Sequence, residues 1–116
     1  MRVPFVNLAR ADDILPGQTK FVPRESGPIL LANYEGAIYA VSGICPHQMN
    51  PLDGAVMCGP RVECPWHQFQ FDCRTGENHH PANAYPPDLQ HLRKQMISLK
   101  SYAVEMRDGD VWVDLP

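Results

Sequence analysis

The chain has 116 residues, which fits one domain, and it is 44% apolar and 20% charged with a net charge of −3. This balance gives no support to a nucleic-acid-binding or membrane-surface protein. Apolar runs such as residues 37–41 are far shorter than the ~20 residues that span a bilayer, and the first residues lack the apolar segment of a signal peptide. We therefore expect a cytoplasmic protein whose cysteines bind metal, catalyse or stay free.

The chain contains 12 prolines and 8 glycines, a composition that favours short strands and many turns over long helices. Residues 29–33 and 37–41 are β-type runs joined by a turn that contains Gly36, which predicts a hairpin. The predictions on the N-terminal side of this hairpin are an edge strand at 5–8, a turn at 12–17 and a strand at 20–22.

The second half continues the β pattern. Residues 102–106 and 111–113 predict a hairpin around Gly109, and residues 69–71 predict a strand with both Phe rings on one face. The other predictions are strands at 55–58 and 61–63, a turn at 72–76, loop over 77–87 and at most one helical turn within 88–95. Together these segments predict an all-β sandwich or barrel that carries a small inserted subdomain, approximately residues 43–77.

Two short cysteine–histidine pairs lie in the inserted stretch. One residue separates Cys45 from His47, two residues separate Cys64 from His67, and 16 residues lie between the pairs. Thiolate and imidazole are ligands for zinc, copper and iron–sulfur sites. Four unrelated residues are an alternative, but two compact pairs that each contain a proline argue against it.

The arrangement of the donors separates two kinds of metal site. Structural zinc sites usually begin with two nearby cysteines and end with a histidine pair, whereas each half here supplies one sulfur and one nitrogen. A two-iron cluster fits better, because one iron takes both sulfurs and the other takes both nitrogens when the two loops face each other. Rieske [2Fe–2S] centres are bound in this way. A structural zinc site stays an alternative.

The sequence resembles the Rieske ferredoxins, in which a C-x-H motif is followed along the chain by C-x-x-H. The resemblance implies one Rieske domain over residues 1–116, with a Rieske-like antiparallel fold and one [2Fe–2S] cluster. It implies that Cys45 and Cys64 hold a buried iron, and that His47 and His67 hold an outer iron near the surface. The likeness extends to Pro51-Leu52, Gly54, Phe71-Asp72, Thr75-Gly76-Glu77 and the final hairpin.

Residues near the two pairs predict a low redox potential. High-potential relatives carry a disulfide between the two loops and hydroxyl groups that bond to the cluster sulfurs. At the matching places this chain has Asn50 and Trp66 instead of cysteines, and Phe69 and Phe71 instead of hydroxyls. Hydrogen bonds to sulfur stabilise the reduced cluster, so their absence predicts roughly −150 mV rather than about +300 mV.

Several other residues carry weaker expectations. Met49 and Gln68 stand where the resembling family commonly has glycine, and we connect them with loop shape or docking. Cys58 and Cys73 are expected to be free thiols in a reducing compartment. Acidic residues, including Asp72, are expected to form a solvated surface or to steer a basic partner.

The resemblance implies a one-electron carrier rather than an enzyme, and no residue is assigned a catalytic role. Electrons would pass from an NAD(P)H-linked flavoprotein reductase to a terminal oxygenase, and the carrier would be a monomer with no nucleic-acid or membrane partner. Two alternatives remain, a Rieske-type small subunit of a reductase such as a nitrite reductase, and a non-redox metal-binding module. No 2-His-1-carboxylate triad for oxygenase chemistry is apparent.

Overall fold

The computed structural model describes residues 5–45, 50–65, 70–77 and 99–115. Within these ranges the chain forms short strands and one 3-10 turn, Ala11–Asp13, with no α-helix. The predicted all-β fold is therefore confirmed. The strands are β1 (Phe5–Arg10), β2 (Thr19–Val22), β3 (Ile29–Tyr34), β4 (Ala37–Ser42), β5 (Ile44–Cys45), β6 (Asn50–Pro51), β7 (Val56–Cys58), β8 (Arg61–Glu63), β9 (Gln70–Asp72), β10 (Ser101–Tyr102), β11 (Val104–Arg107) and β12 (Asp110–Asp114).

The strands pair antiparallel in four sheets across the described ranges. The largest sheet has the order β10-β4-β3-β2, and a second sheet has the order β1-β12-β11, with β1 at its edge as predicted. The other two sheets, β5-β6 and β7-β8-β9, come from the stretch that contains the cysteine–histidine pairs.

Strand β3 is buried on both faces, and this makes the four-stranded sheet the middle layer of the protein. Leu30 belongs to a buried cluster that includes Val62 of β8, whereas its neighbour Leu31 belongs to a second cluster that includes Val111 of β12. Successive side chains of a strand point to opposite faces, so the two clusters lie on opposite sides of this sheet. A strand that is covered on both faces carries a continuous apolar run instead of alternation.

The hairpin predicted around Gly36 is confirmed, because β3 pairs with β4 up to its last residue. Glu35 and Gly36 both have positive φ, 54° and 92°, as the tight two-residue turn of a hairpin requires. The buried side chain of Asn33 supports this turn: its Oδ1 accepts a hydrogen bond from Gly36 N at 2.9 Å, and its Nδ2 donates one to Ile14 O at 2.8 Å.

The prediction of a single strand over residues 102–106 is wrong, because the chain changes sheets at Ala103. Strand β10 pairs with β4 in the middle sheet, whereas β11 pairs with β12 in the outer sheet. Ala103 O accepts a hydrogen bond from Asp114 N at 2.9 Å at the crossing point. Corners of β-sandwiches are made by strands that switch sheets in this way. The alternation of side chains continues through the corner, so the sequence pattern carries no sign of it.

Most other predicted elements are confirmed. The strands predicted at 20–22, 55–58 and 61–63 agree with β2, β7 and β8 to within one residue at each end. The loop predicted beyond Glu77, the helical turn within 88–95 and the position of Phe69 lie outside the described residues. No helix in the described part of the chain has the length and apolar character that crossing a bilayer requires. The boundaries of the 43–77 subdomain stay a prediction.

Candidate metal centre

The first cysteine–histidine pair belongs to the hairpin formed by β5 and β6. The pairing of Cys45 with Asn50 is the last of this short ladder, so residues 46–49 connect the two strands. His47 belongs to this connection, outside the described residues. Leu52 N donates a hydrogen bond to Gly43 O at 2.7 Å, which holds the two ends of the hairpin together where it joins the rest of the fold.

The second pair belongs to the hairpin formed by β8 and β9. Glu63 pairs with Gln70, and Cys64 is the first residue after β8, so residues 64–69 connect the two strands. His67 lies in this connection and outside the described residues. Each predicted pair therefore begins where a strand ends and continues into the residues that connect the two strands of its own hairpin.

The bases of the two hairpins meet in one core. Leu52 directly follows β6 and Cys64 directly follows β8, and both belong to the buried cluster on one side of the middle sheet. Val62 and Phe71, which face each other across β8 and β9, belong to the same cluster. This shared core fixes the two hairpins relative to each other, as a site built from both loops requires.

Cys64 is the predicted ligand whose side chain the structure describes, and its environment fits that role. The residue is fully buried, forms no disulfide and packs in the apolar cluster beside Val62 and Phe71. Such an apolar surrounding limits solvent access to a metal bound at the thiol, in agreement with the buried iron predicted for the cysteines. The ligand roles of Cys45, His47 and His67 stay predictions, since the structure does not describe these side chains.

The described residues offer no competing metal site. Within them, no group of three or more His, Cys, Asp or Glu side chains is arranged to hold a metal ion. Cys58 and Cys73 are both free, as predicted, and they lie on either side of β8 with Cys58 exposed and Cys73 buried. Burial raises the pKa of Cys73 to about 11, and the nearby charge of Asp72 contributes in the same direction.

Gly43 supports the first hairpin, and the sequence reasoning did not identify it. Its N–H donates to Pro28 O at 2.8 Å, at the start of the middle sheet. A Cβ at this position would lie 2.9 Å from the carbonyl carbon of Pro28, closer than non-bonded atoms approach. Glycine therefore allows the segment before Cys45 to lie directly against the sheet. The available sign in the sequence is a glycine two residues before the first predicted ligand.

The interpretation of Asp72 as a solvated or steering acidic residue is wrong. Asp72 is only 7% exposed and ends strand β9. Its backbone organises the following turn, since Asp72 O accepts a hydrogen bond from Gly76 N and Asp72 N donates one to Glu77 O at 2.9 Å. Asp72 thus stabilises the end of the second hairpin instead of presenting charge to a partner.

Comparison with known proteins identifies the family. A family model for the Rieske [2Fe-2S] domain matches residues 5–103. The ferredoxin component of the naphthalene 1,2-dioxygenase system of Pseudomonas putida is 31% identical over 115 residues, which cover 99% of each chain.

Solved structures agree with this match. The Sphingomonas yanoikuyae B1 ferredoxin has a TM-score of 0.78 at 25% identity, covering 97% of this chain and 100% of that chain. A chain of the complex of reduced oxygenase and oxidized ferredoxin in carbazole 1,9a-dioxygenase shares the fold, with a TM-score of 0.75 at 23% identity over 98% of this chain and 94% of its own.

These matches decide between the metal sites that the spacing of the two pairs left open. The family model covers most of the chain, and the Pseudomonas relative matches it nearly end to end. Neither four unrelated residues nor a structural zinc site agrees with that result. The chain belongs to the Rieske [2Fe–2S] domain family, and its cofactor is a Rieske-type [2Fe–2S] cluster.

Proposed function

We propose that this protein is a one-electron carrier that takes electrons from an NAD(P)H-linked flavoprotein reductase and passes them to a terminal oxygenase. The observation that carries the proposal is the 31% identity over 99% of both chains to a ferredoxin component of a dioxygenase system. The chain acts as an electron-transfer component and not as the enzyme that transforms the organic substrate. We further propose that it works as a monomer in the cytoplasm.

The four predicted ligands divide between the two hairpins. Cys45 and Cys64 hold one iron, and His47 and His67 hold the other, so each loop contributes one ligand to each metal. The complete burial of Cys64 supports its place on the inner iron. We propose residues 43–77 as the cluster-binding subdomain, and the bound cluster supplies the one-electron redox chemistry.

The change in burial along the second loop supports exchange of electrons at the histidine end of the site. Cys64 has no exposed surface, whereas the next residue, Pro65, which is the last described residue before His67, is exposed. The first hairpin shows the same change at the end of its second strand, where Pro51 is exposed and Leu52, the next residue, is buried. We propose that a partner docks at these hairpin ends and exchanges electrons through the two histidine ligands.

Spectroscopy of the purified protein tests the cofactor and its ligands. We expect the dithionite-reduced protein to give a rhombic EPR signal with a low average g, as mixed cysteine and histidine ligation produces. Chemical analysis should find equal amounts of iron and acid-labile sulfide. A colourless protein that contains stoichiometric zinc would contradict the assignment.

Reconstitution tests the role. The protein is added to a flavoprotein reductase and a terminal oxygenase of the naphthalene 1,2-dioxygenase type, with NADH and naphthalene. We expect product formation to depend on the concentration of the protein, and a mixture that lacks only this protein is the control. A protein that purifies solely as a fixed subunit of a large reductase would instead favour the nitrite-reductase alternative.

A further inference from the structure

A recess of about 130 Å³ lies where the middle sheet, the outer sheet and the hairpin formed by β5 and β6 meet. An apolar cavity of about 150 Å³ in another protein is large enough to bind benzene, so this recess has room for a small organic molecule. None of its described lining residues is one of the four predicted ligands. The residues that line it are Arg24, Ser26, Gly27, Pro28, Ile29, Ser42, Ile44, Tyr102 and Leu115.

One part of the lining is cationic and rich in hydroxyl groups. Arg24 forms no ion pair within the described ranges, and its acidic neighbour Glu25 does not line the recess. The Lys100 ammonium lies 5.5 Å from the ring centroid of Tyr102, which adds a second positive charge close by. Ser42 Oγ accepts a hydrogen bond from Ile44 N at 3.5 Å, so the hydroxyl hydrogen of Ser42 is available to donate.

The rest of the lining is apolar. Ile29 and Leu115 are 3% and 2% exposed and belong to the core beneath the recess, and Pro28 and Ile44 complete this surface. A free inorganic anion would leave the apolar side of the recess, where Pro28 and Ile44 are partly exposed, without a partner, and a hydrocarbon would leave the Arg24 guanidinium without one. A molecule that combines one carboxylate with a compact apolar body satisfies both halves.

We propose that the recess binds a small organic carboxylate. Arg24 receives the carboxylate, because the planar guanidinium forms paired hydrogen bonds with its two oxygens. The hydroxyl groups of Ser26, Ser42 and Tyr102 supply further donors. The apolar body of the ligand lies against Pro28 and Ile44. This inference does not rest on the proposed electron-carrier role.

Ligand-observed fluorine NMR of the oxidised, cluster-containing protein tests the proposal, with 4-fluorobenzoate as the probe. 4-Fluorobenzyl alcohol keeps the ring without the charge, and trifluoroacetate keeps the charge without the ring. The variants are Arg24→Met, which keeps an apolar stem of similar length, and Arg24→Lys. Arg10→Met is the matched control, since Arg10 is an exposed arginine on the outer sheet that pairs with Asp110 at 3.6 Å.

We expect saturable binding of 4-fluorobenzoate in the ~millimolar range or tighter, as a fragment of this size allows. Its Kd should rise at least tenfold in Arg24→Met, rise less in Arg24→Lys and stay unchanged in Arg10→Met. Both other probes should bind the natural protein at least tenfold more weakly than 4-fluorobenzoate does. This comparison does not depend on whether a variant folds. Equal binding of the alcohol or trifluoroacetate, an unchanged Kd in Arg24→Met, or no saturable binding would overturn the proposal.

Discussion

Arg74 holds the carboxylate of Asp72 through two parallel contacts at the end of β9. Arg74 Nη2 lies 2.8 Å from Asp72 Oδ2, and Arg74 Nε lies 3.0 Å from Asp72 Oδ1. The backbone N–H of Arg74 donates to the same Oδ1 at 2.8 Å. The guanidinium also lies 5.5 Å from the centroid of the Tyr34 ring at the end of β3. The pair therefore ties the hairpin formed by β8 and β9 to the middle sheet.

Replacing Asp72 by Asn removes the charge from this pair while nearly keeping its shape. We expect Asp72→Asn to lower the free energy of unfolding by about 1–3 kcal/mol, since hydrogen bonds to a buried charged group are among the stronger ones. Urea unfolding of the cluster-containing protein, followed by circular dichroism, measures the change.

The matched control for this variant is Glu105→Gln. Arg107 contacts Glu105 with a similar two-pronged geometry, at 2.9 and 3.0 Å, but the Glu105 side chain is 48% exposed whereas that of Asp72 is 10% exposed. Surface ion pairs contribute little to stability, so Glu105→Gln should unfold like the natural protein. Equal destabilisation by the two substitutions would show that burial of Asp72 is not the cause.

Gly76 occupies a position that no other residue fits. It has a φ of 82°, and a Cβ added there would overlap the carbonyl oxygen of Leu99. Gly76 O also accepts a hydrogen bond from Leu99 N at 2.7 Å, which brings the two backbones together after β9. We expect Gly76→Ala to lower stability by at least ~2 kcal/mol, from backbone strain and the displaced hydrogen bond.

The variant Gly54→Ala separates backbone strain from the contact with Leu99 as causes of the destabilisation expected in Gly76→Ala. Gly54 has a similar φ of 90°, but a Cβ there meets no atom within 4 Å. Its substitution therefore carries the backbone strain alone, about 1 kcal/mol. Thermal unfolding of both variants measures the difference. A smaller or equal shift in Gly76→Ala would mean that the contact with Leu99 adds nothing.

The sequence was most informative where a local signal coincides with a tertiary role. Tight turns with glycine predicted the hairpins at Gly36 and Gly109, because a positive φ is a local requirement that does not depend on distant residues. The two cysteine–histidine pairs likewise indicated the cofactor, because the predicted ligands of each pair lie close in sequence.

The sequence was least informative where distant segments decide the outcome. Ala103 marks a change of sheet that depends on which strands lie beside it, and the alternation of side chains is the same for either partner. Asp72 is charged and precedes a turn, which is typical of a solvated residue, but Arg74 and the following turn cover it. The role of Gly43 depends on the approach of Pro28, which is 15 positions away in the sequence shown.

Serine substitutions separate the predicted ligand from the other thiols. We expect Cys64→Ser to lose most of its iron and the visible absorption of the cluster, because a serine hydroxyl is a poor replacement for a thiolate ligand of iron. Cys58→Ser should keep both, since Cys58 is exposed on β7 and belongs to neither predicted pair. Iron and sulfide analysis with absorption spectra measures the difference. Full cluster content in Cys64→Ser would refute its assignment as a ligand.

The raised pKa of Cys73 predicts how stability changes in alkaline solution. Burial raises this pKa from its ordinary value to about 11, so the folded protein keeps the thiol protonated while the unfolded chain ionises at lower pH. The unfolded state therefore loses a proton first, and the contribution of Cys73 to stability falls as the pH rises from about 9 toward 11. Cys73→Ser removes this titration, so its free energy of unfolding should depend less steeply on pH over that range. Urea unfolding at several pH values measures both slopes, and identical slopes would contradict the prediction.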